Sequence, residues 1–148
     1  MLRNVIESDL PILFEHQLDP EATRMAAFPA REQWSDFLAH WQDKVLGNPA
    51  TCNRTIVFDG DVVGYISSWP DGERRFVGYW IGRAHWHRGI ASGALKEFLG
   101  HDLSRPLRAI VVAHNVGSIR VLEKGGFVRE GDATSEDGVV ELHYRLDR

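Results

Sequence analysis

The sequence of 148 residues has one cysteine and no apolar run that approaches the length needed to cross a membrane. A single thiol, Cys52, excludes an intramolecular disulfide and cannot form a thiolate metal site by itself. We expect it to be a structural thiol rather than a nucleophile, because it lies just before a β-like run. The first residues also lack the apolar core of a secretion signal, so the sequence predicts a cytoplasmic protein with no membrane partner.

Positive charge is scarce as well, since 17 lysines and arginines stand against 21 aspartates and glutamates, a net charge of −4. A nucleic-acid-binding protein needs a basic surface, so we expect no nucleic-acid partner. The histidines show no metal-ligand spacing on one predicted element, and no metal site is expected. The chain is, however, 43% hydrophobic, which is ample for the core of a single domain over residues 1–148.

The spacing of apolar and turn residues predicts an ordered series of strands and helices. Strands are expected at residues 2–6, 52–58, 62–69, 76–81, 107–113, 127–130 and 139–146. Helices are expected from a cap at Ser8 to Leu18, at 31–46, at 89–103 and at 116–124, with a loop over residues 19–29. A strand–helix–strand–helix unit thus lies within an otherwise antiparallel pattern, which predicts an α+β fold with one parallel crossover.

The turn before the helix at 89–103 has the features of a phosphate site. The first turn of a helix leaves backbone N–H groups unpaired and is electropositive. Gly89, Ala91 and Ser92 are small enough for a diphosphate to approach closely, and Arg88 adds positive charge. By itself, a glycine before a helix fits a plain chain reversal equally well.

A second segment strengthens the ligand-binding interpretation. Asn115 stands where a strand ends and a helix begins, free to cap the helix or to bind ligand. Ser118 follows in the first turn of that helix, at the carboxyl end of the expected parallel pair of strands. That end is where α/β units bind their ligands.

The two segments together resemble the GNAT superfamily of N-acetyltransferases, and the order of elements matches that fold along essentially the whole chain. The family's phosphate loop, Gln/Arg-x-x-Gly-x-Gly/Ala, reads Trp-His-Arg-Gly-Ile-Ala at residues 86–91. The more specific motif is Asn-x-x-Ser-x-Arg-Val-Leu-Glu-Lys-x-Gly-Phe at 115–127. Trp86 departs from the usual Gln or Arg, but it resembles the ribosomal-protein N-terminal acetyltransferase branch, as do residues 19–21, 28–29 and 78–82.

The resemblance implies that acetyl-CoA lies in a V-shaped gap between the strands ending at Ile81 and Ala113, in a sheet with helices on both faces. The pantetheine arm is expected on backbone groups of the first strand, and the diphosphate on the glycine turn. The residues expected to bind the cofactor are Ile81, Gly82, Arg83, His87, Arg88, Gly89, Ile90, Ala91, Ser92, Asn115 and Ser118.

The implied reaction is acetyl transfer to a primary amine by direct attack in a ternary complex. Ser118 and Asn115 are the catalytic candidates: Ser118 either protonates the departing thiolate or only helps to cap its helix, which contains no tyrosine. Glu73 is either the base or a solvated turn residue. The alternative function is a non-catalytic acyl-CoA-binding or sensing module, whereas a dinucleotide binder would need glycines earlier in the turn.

The acceptor is expected to be a small-molecule or peptide amine, and a homodimer is possible because relatives in the family often dimerise. The acceptor pocket is expected to be lined by residues 19–34 and 133–138. Met25, Phe28 and Trp34 are candidates for its lining, with core packing as the alternative role.

Overall fold

The computed structural model describes residues 1–27 and 30–148. Its strands are β1 Leu2–Arg3, β2 Cys52–Phe58, β3 Asp61–Asp71, β4 Arg74–Ile81, β5 Leu107–Val112, β6 Val128–Thr134 and β7 Val140–Leu146. Its helices are α1 Leu10–Leu18, α2 Pro20–Met25, α3 Trp34–His40, α4 Ile90–His101 and α5 Val116–Lys124. Helix α3 continues as a π-helical segment, Trp41–Leu46, and short 3-10 turns occupy Glu7–Asp9 and Arg83–His85.

The strands form one seven-stranded sheet in the order β1-β2-β3-β4-β5-β7-β6. Every neighbouring pair is antiparallel except β4 and β5, which run parallel and are paired only at Phe76 and Arg108. Past that point the two strands part, and a gap opens between them toward their carboxyl ends. The predicted α+β fold, with a splayed parallel pair in a mostly antiparallel sheet, is confirmed.

Helices pack on both faces of this sheet, as expected. On one face, α4 and α5 bury Leu95, Phe98 and Leu122 against the central strands. On the other face, α1 and α3 bury their apolar side chains around Phe37 and Trp41, with Tyr65 of β3 packed against them. Neighbouring residues of β3 point to opposite faces, so this strand contributes to both layers.

The expected strand at 2–6 and the expected cap at Ser8 were wrong in detail. The strand ends at Arg3, because the next residues turn toward the buried carboxylate of Asp9. Asp9 accepts two hydrogen bonds from the Arg3 guanidinium (2.8 Å each), one from the Ile6 backbone N–H (3.0 Å) and one from the Thr55 hydroxyl (2.7 Å). This carboxylate ties the entry of α1 to β2.

The expected loop over residues 19–29 contains helix α2. Asp19 accepts a hydrogen bond from the Glu21 backbone N–H (3.0 Å), and Pro20 is the first helical residue, a favoured pairing at a helix start. The next helix begins at Trp34 rather than at residue 31. The last hairpin is longer than expected, since β6 runs to Thr134.

We predict that Asp9→Asn lowers the free energy of unfolding at neutral pH by about 3 kcal/mol, because it leaves Arg3 without its partner. Burial alone raises the pKa of Asp9, but the hydrogen bonds from Arg3, Ile6 and Thr55 outweigh it and hold the pKa below its ordinary value of 3.8. The contribution of this carboxylate is therefore present above that ordinary value and is lost as the pH falls through the lower folded value.

Urea unfolding at pH 7 and at pH 3 measures the effect, and the gap between wild type and variant should narrow in acid. Glu15→Gln, an exposed change on the same helix, is the matched control and should stay near wild type. A gap that is equally large at both pH values would contradict this role of the Asp9 carboxylate.

Candidate active site

A cleft of about 1410 Å³ opens where β4 and β5 part. We call the part lined by residues 86–92, before and in the first turn of α4, the α4 half. On the other side, which we call the α3 half, the lining includes Arg31, His40, Trp41, Lys44, Asn53, Tyr65 and Ser67. Of the residues expected to bind cofactor, all line this cleft except Gly82.

The α4 half is built on two left-handed residues with Arg88 between them. His87 has φ 64° and Gly89, the residue that precedes α4, has φ 74°. In the described parts of the chain no side chain caps this helix, so its first N–H groups have no side-chain partner. A Cβ at Gly89 would meet nothing within 4 Å, so the space in front of the helix is open. Such an uncapped, electropositive helix start fits a phosphate group.

Trp86, which departs from the usual family residue, fastens this loop to the sheet. Its indole N–H donates a hydrogen bond of 2.8 Å to the Ile81 carbonyl at the end of β4. The next residue, Gly82, donates its backbone N–H to the Val63 carbonyl (2.8 Å) and is buried against His16, whose Nε2 would lie 2.7 Å from an added Cβ. Gly82 therefore supports the turn from behind, which is why it does not line the cleft.

The turn between β5 and α5 is tied to α2. The Asn115 side chain accepts a hydrogen bond from the Ser118 backbone N–H (3.1 Å) and donates one to the Met25 carbonyl (3.1 Å). One residue earlier, a ring nitrogen of His114 lies 2.7 Å from the Arg24 carbonyl. Asn115 thus caps α5 and positions the end of α2, and capping requires only the backbone of Ser118.

The Ser118 hydroxyl is left to pair with Tyr79 of β4. The Ser118 Oγ lies 2.7 Å from the Tyr79 hydroxyl, across the gap between the parted strands. Burial raises the pKa of Tyr79 to about 12, although the hydrogen bond with Ser118 works in the opposite direction. Tyr79 is therefore a neutral phenol at physiological pH and can donate its proton to the Ser118 oxygen.

Sequence reasoning missed Tyr79 as a functional residue, because it sought a tyrosine hydroxyl only in α5. The signal was the alternation of β4, which places Tyr79 and Ile81 on the same face of the strand. Ile81 was already expected beside the cofactor, so the residue two positions before it was also a candidate.

Other expected residues fall in different places. Met25 lines the cleft, whereas Trp34 does not and instead packs on Phe14 and Phe37. Glu73 is an exposed turn residue outside the cleft lining, and no residue of 133–138 belongs to that lining either. The expectation for Phe28 lies outside the described residues.

Cys52 is half-buried and packs against the core, as a structural thiol does. Within residues 1–27 and 30–148, no group of three or more His, Cys, Asp or Glu side chains is placed to hold a metal ion. None of the helices in those residues is long and apolar enough to span a bilayer.

Comparison with known proteins identifies the family of the chain. Residues 1–128 match the family model described as an acetyltransferase (GNAT) domain. The chain is 39% identical over 78 residues to the probable N-acetyltransferase YjcK of Bacillus subtilis, an alignment that covers 48% of this chain and 43% of that protein. It is 29% identical over 142 residues to the uncharacterized N-acetyltransferase p20 of Bacillus licheniformis, covering 88% of this chain and 79% of the relative.

Solved structures with the same fold include enzymes with coenzyme A bound. A spermidine N-acetyltransferase from Vibrio cholerae, in complex with CoA and spermine, has a TM-score of 0.84 at 15% identity and covers 99% of this chain and 94% of its own. RimL, a ribosomal L7/L12 alpha-N-protein acetyltransferase with CoA, has a TM-score of 0.81 at 20% identity, covering 99% and 92%. With its matching domain model and the splayed cleft, the chain belongs to the GNAT family and is an acetyl-CoA-dependent N-acetyltransferase.

Proposed function

We propose that the chain transfers the acetyl group of acetyl-CoA to a primary amine by direct attack while both substrates are bound in the cleft. The observation that carries the proposal is the Tyr79–Ser118 pair, which bridges the gap where β4 and β5 part. In the reaction the amine nitrogen bonds to the thioester carbonyl carbon and the carbon–sulfur bond breaks. The sulfur leaves as a thiolate that gains one proton, and the nitrogen loses one.

The α4 half is the proposed site of the cofactor diphosphate. The open space at Gly89 and the uncapped helix start support this, with Arg88 and His87 beside it and the first-turn residues Ile90, Ala91 and Ser92 behind it. Ile81 and Arg83 also line the cleft, and their backbone groups are the proposed partners of the pantetheine arm. Gly82 keeps its N–H on Val63 and acts only by shaping the turn.

Ser118 is the proposed proton donor to the leaving thiolate. When Tyr79 is the donor in its hydrogen bond with the Ser118 oxygen, the serine hydroxyl proton is free to point at the sulfur. Asn115 contributes indirectly, because it holds the Ser118 backbone and therefore the start of α5. We place Asn115 as a positioning residue and Ser118 as the catalytic one.

Acceptors of structural neighbours range from spermidine to a ribosomal protein, so the fold admits both small and peptide amines. We propose that residues 1–148 act as one catalytic domain, because β7 completes the sheet by lying between β5 and β6. A cytoplasmic location and a homodimer belong to the same proposal. Cell fractionation and measurement of the mass in solution test them.

Replacing Gly89 by Glu should weaken CoA binding by about tenfold or more, which is at least about 1.4 kcal/mol. The new carboxylate would stand where the diphosphate belongs, and a left-handed backbone adds roughly 1–2 kcal/mol of strain for any residue with a Cβ. Isothermal titration with CoA measures the loss.

Gly72→Glu is the matched control, since Gly72 also has a positive φ (62°) and open space but lies in the β3–β4 turn outside the cleft. It should share the backbone strain and keep normal CoA affinity. Equal CoA affinity in the two variants would overturn the diphosphate assignment.

Ser118→Ala should lower kcat by about a hundredfold, in the usual range for loss of an acid–base group, with little change in CoA affinity. Tyr79→Phe should lower kcat by a smaller factor, because the serine hydroxyl stays but loses its donor. The double variant should resemble Ser118→Ala alone, since the two groups act as a unit.

Tyr144→Phe is the control for a buried tyrosine, because the Tyr144 hydroxyl donates to Glu123 (3.0 Å) away from the cleft. It should reduce thermal stability and leave kcat near wild type. CoA binding without turnover in the wild type, against a broad amine panel, would instead favour a binding or sensing module.

A further inference from the structure

The α3 half of the cleft is positively charged. It contains the cationic side chains of Arg31 and Lys44, with His40 beside them in the lining. Among the described residues that line the cleft, Glu21 is the one carboxylate, and it is already ion-paired with Arg24. The half of the cleft left for the acceptor therefore has an excess of cationic groups, in a chain whose net charge is −4.

Arg31 is held in place by a buried amide. The Gln17 side chain accepts a hydrogen bond from the Arg31 backbone N–H (2.7 Å) and donates one to the Arg31 carbonyl (2.7 Å). Gln17 is only 7% exposed, so burying it is costly unless its polar atoms are satisfied. The buried Gln17 side chain thus fixes the backbone of Arg31, which lines the cleft.

Arg31 and Lys44 both lie close enough to His40 to act on its charge. Burial lowers the pKa of His40, and the nearby charges of Arg31 and Lys44 lower it further. In the parts of the chain that the structure describes, no carboxylate lies within ion-pair distance of any of the three. Arg31 and Lys44 are therefore two exposed cationic side chains in the same half of the cleft without a paired carboxylate, and an anion bound there would be stabilised by both.

Asn53 and Ser67 also line this half, and the Asn53 Oδ1 and the Ser67 Oγ are buried without a hydrogen-bond partner among residues 1–27 and 30–148. Asn53 and Ser67 face each other across β2 and β3, and Ser67 is 6% exposed. Buried polar atoms in folded proteins are nearly always paired, so each unpaired one needs a reason. An amine supplies N–H donors that both oxygens can accept.

We propose that the acceptor is an amine that also carries a carboxylate, with the carboxylate bound by Arg31 and Lys44 and the amine lying toward Asn53 and Ser67. The inference rests on the proposed transferase function and names its substrate class. Free amino acids and the N-termini of acidic peptides share this chemistry.

The same cations suit the reaction. Positive charge near an amine disfavours its ammonium form, so the cluster favours the unprotonated nitrogen that must attack. This compensates for the absence of a free carboxylate base among the described cleft-lining residues. A polyamine or an aminoglycoside, in contrast, would bring several positive charges against Arg31 and Lys44 and would be repelled.

The test compares amines matched in size that differ in the carboxylate. One arm pairs L-alanine with its α-amide, a second pairs short acidic peptides with neutral ones, all amidated at the C-terminus, and a third contains spermidine. The readouts are kcat/KM with acetyl-CoA and, independently of turnover, acceptor binding to the protein–CoA complex by calorimetry. In at least one of the first two arms, we expect the amine with the additional carboxylate to exceed its matched partner by about tenfold or more in both readouts.

Arg31→Met and Lys44→Met should remove that preference in both readouts, with little change in CoA affinity. Lys96→Met is the matched control, because Lys96 is an exposed lysine on α4 outside the cleft lining. It should keep the full preference.

The two proposals fail in different ways. Carboxylate-dependent binding that needs Arg31, without any acetyl transfer, would support the assignment of Arg31 as a carboxylate-binding residue. The same result would contradict the transferase function. Acetylation of spermidine or of the amides at least as efficient as that of the carboxylates would overturn the acceptor class and leave the transferase function standing. Absence of carboxylate-dependent binding in every arm would also overturn the acceptor class.

Discussion

The parting of β4 from β5 is the constraint on which the rest of this structure depends. The two parallel strands pair at Phe76 and Arg108 and then separate, which leaves backbone of both strands facing a gap. An unpaired strand edge inside a protein is costly unless something satisfies its polar groups. The proposed cofactor would lie in this gap, so the feature that makes the sheet incomplete also provides the cleft.

Three side-chain hydrogen bonds connect the elements that surround the gap. Trp86 anchors the phosphate loop to the end of β4, Tyr79 meets Ser118 across the middle, and Asn115 joins the far wall to α2. Each bond spans elements that the open sheet does not connect. The elements around the cleft are consequently linked to one another. A shift of α2 would move the start of α5, because Asn115 is hydrogen-bonded to both.

Much of the fold was predictable, since the apolar spacing that marks α4, β5 and α5 reports which face of each element is buried. The glycine turn at Gly89 was predictable too, because left-handed backbone strongly favours that residue. The short helix α2 was missed although Asp19 and Pro20 mark its start, because six residues are too few to show helical periodicity. The cap assigned to Ser8 was wrong because Asp9 has a stronger partner in Arg3, which only the packed structure brings near.

By itself the sequence determined the order of the elements other than α2, the two motifs of the cleft and, through them, the family and the cofactor. Tertiary structure alone decided which hydroxyl faces Ser118, since Tyr79 lies 39 residues away on another element. It also decided that Arg31, His40 and Lys44 share one half of the cleft with the unpaired oxygens of Asn53 and Ser67. The reason is physical: periodicity records which side of an element is buried, whereas the neighbours across the cleft are set by how the elements pack.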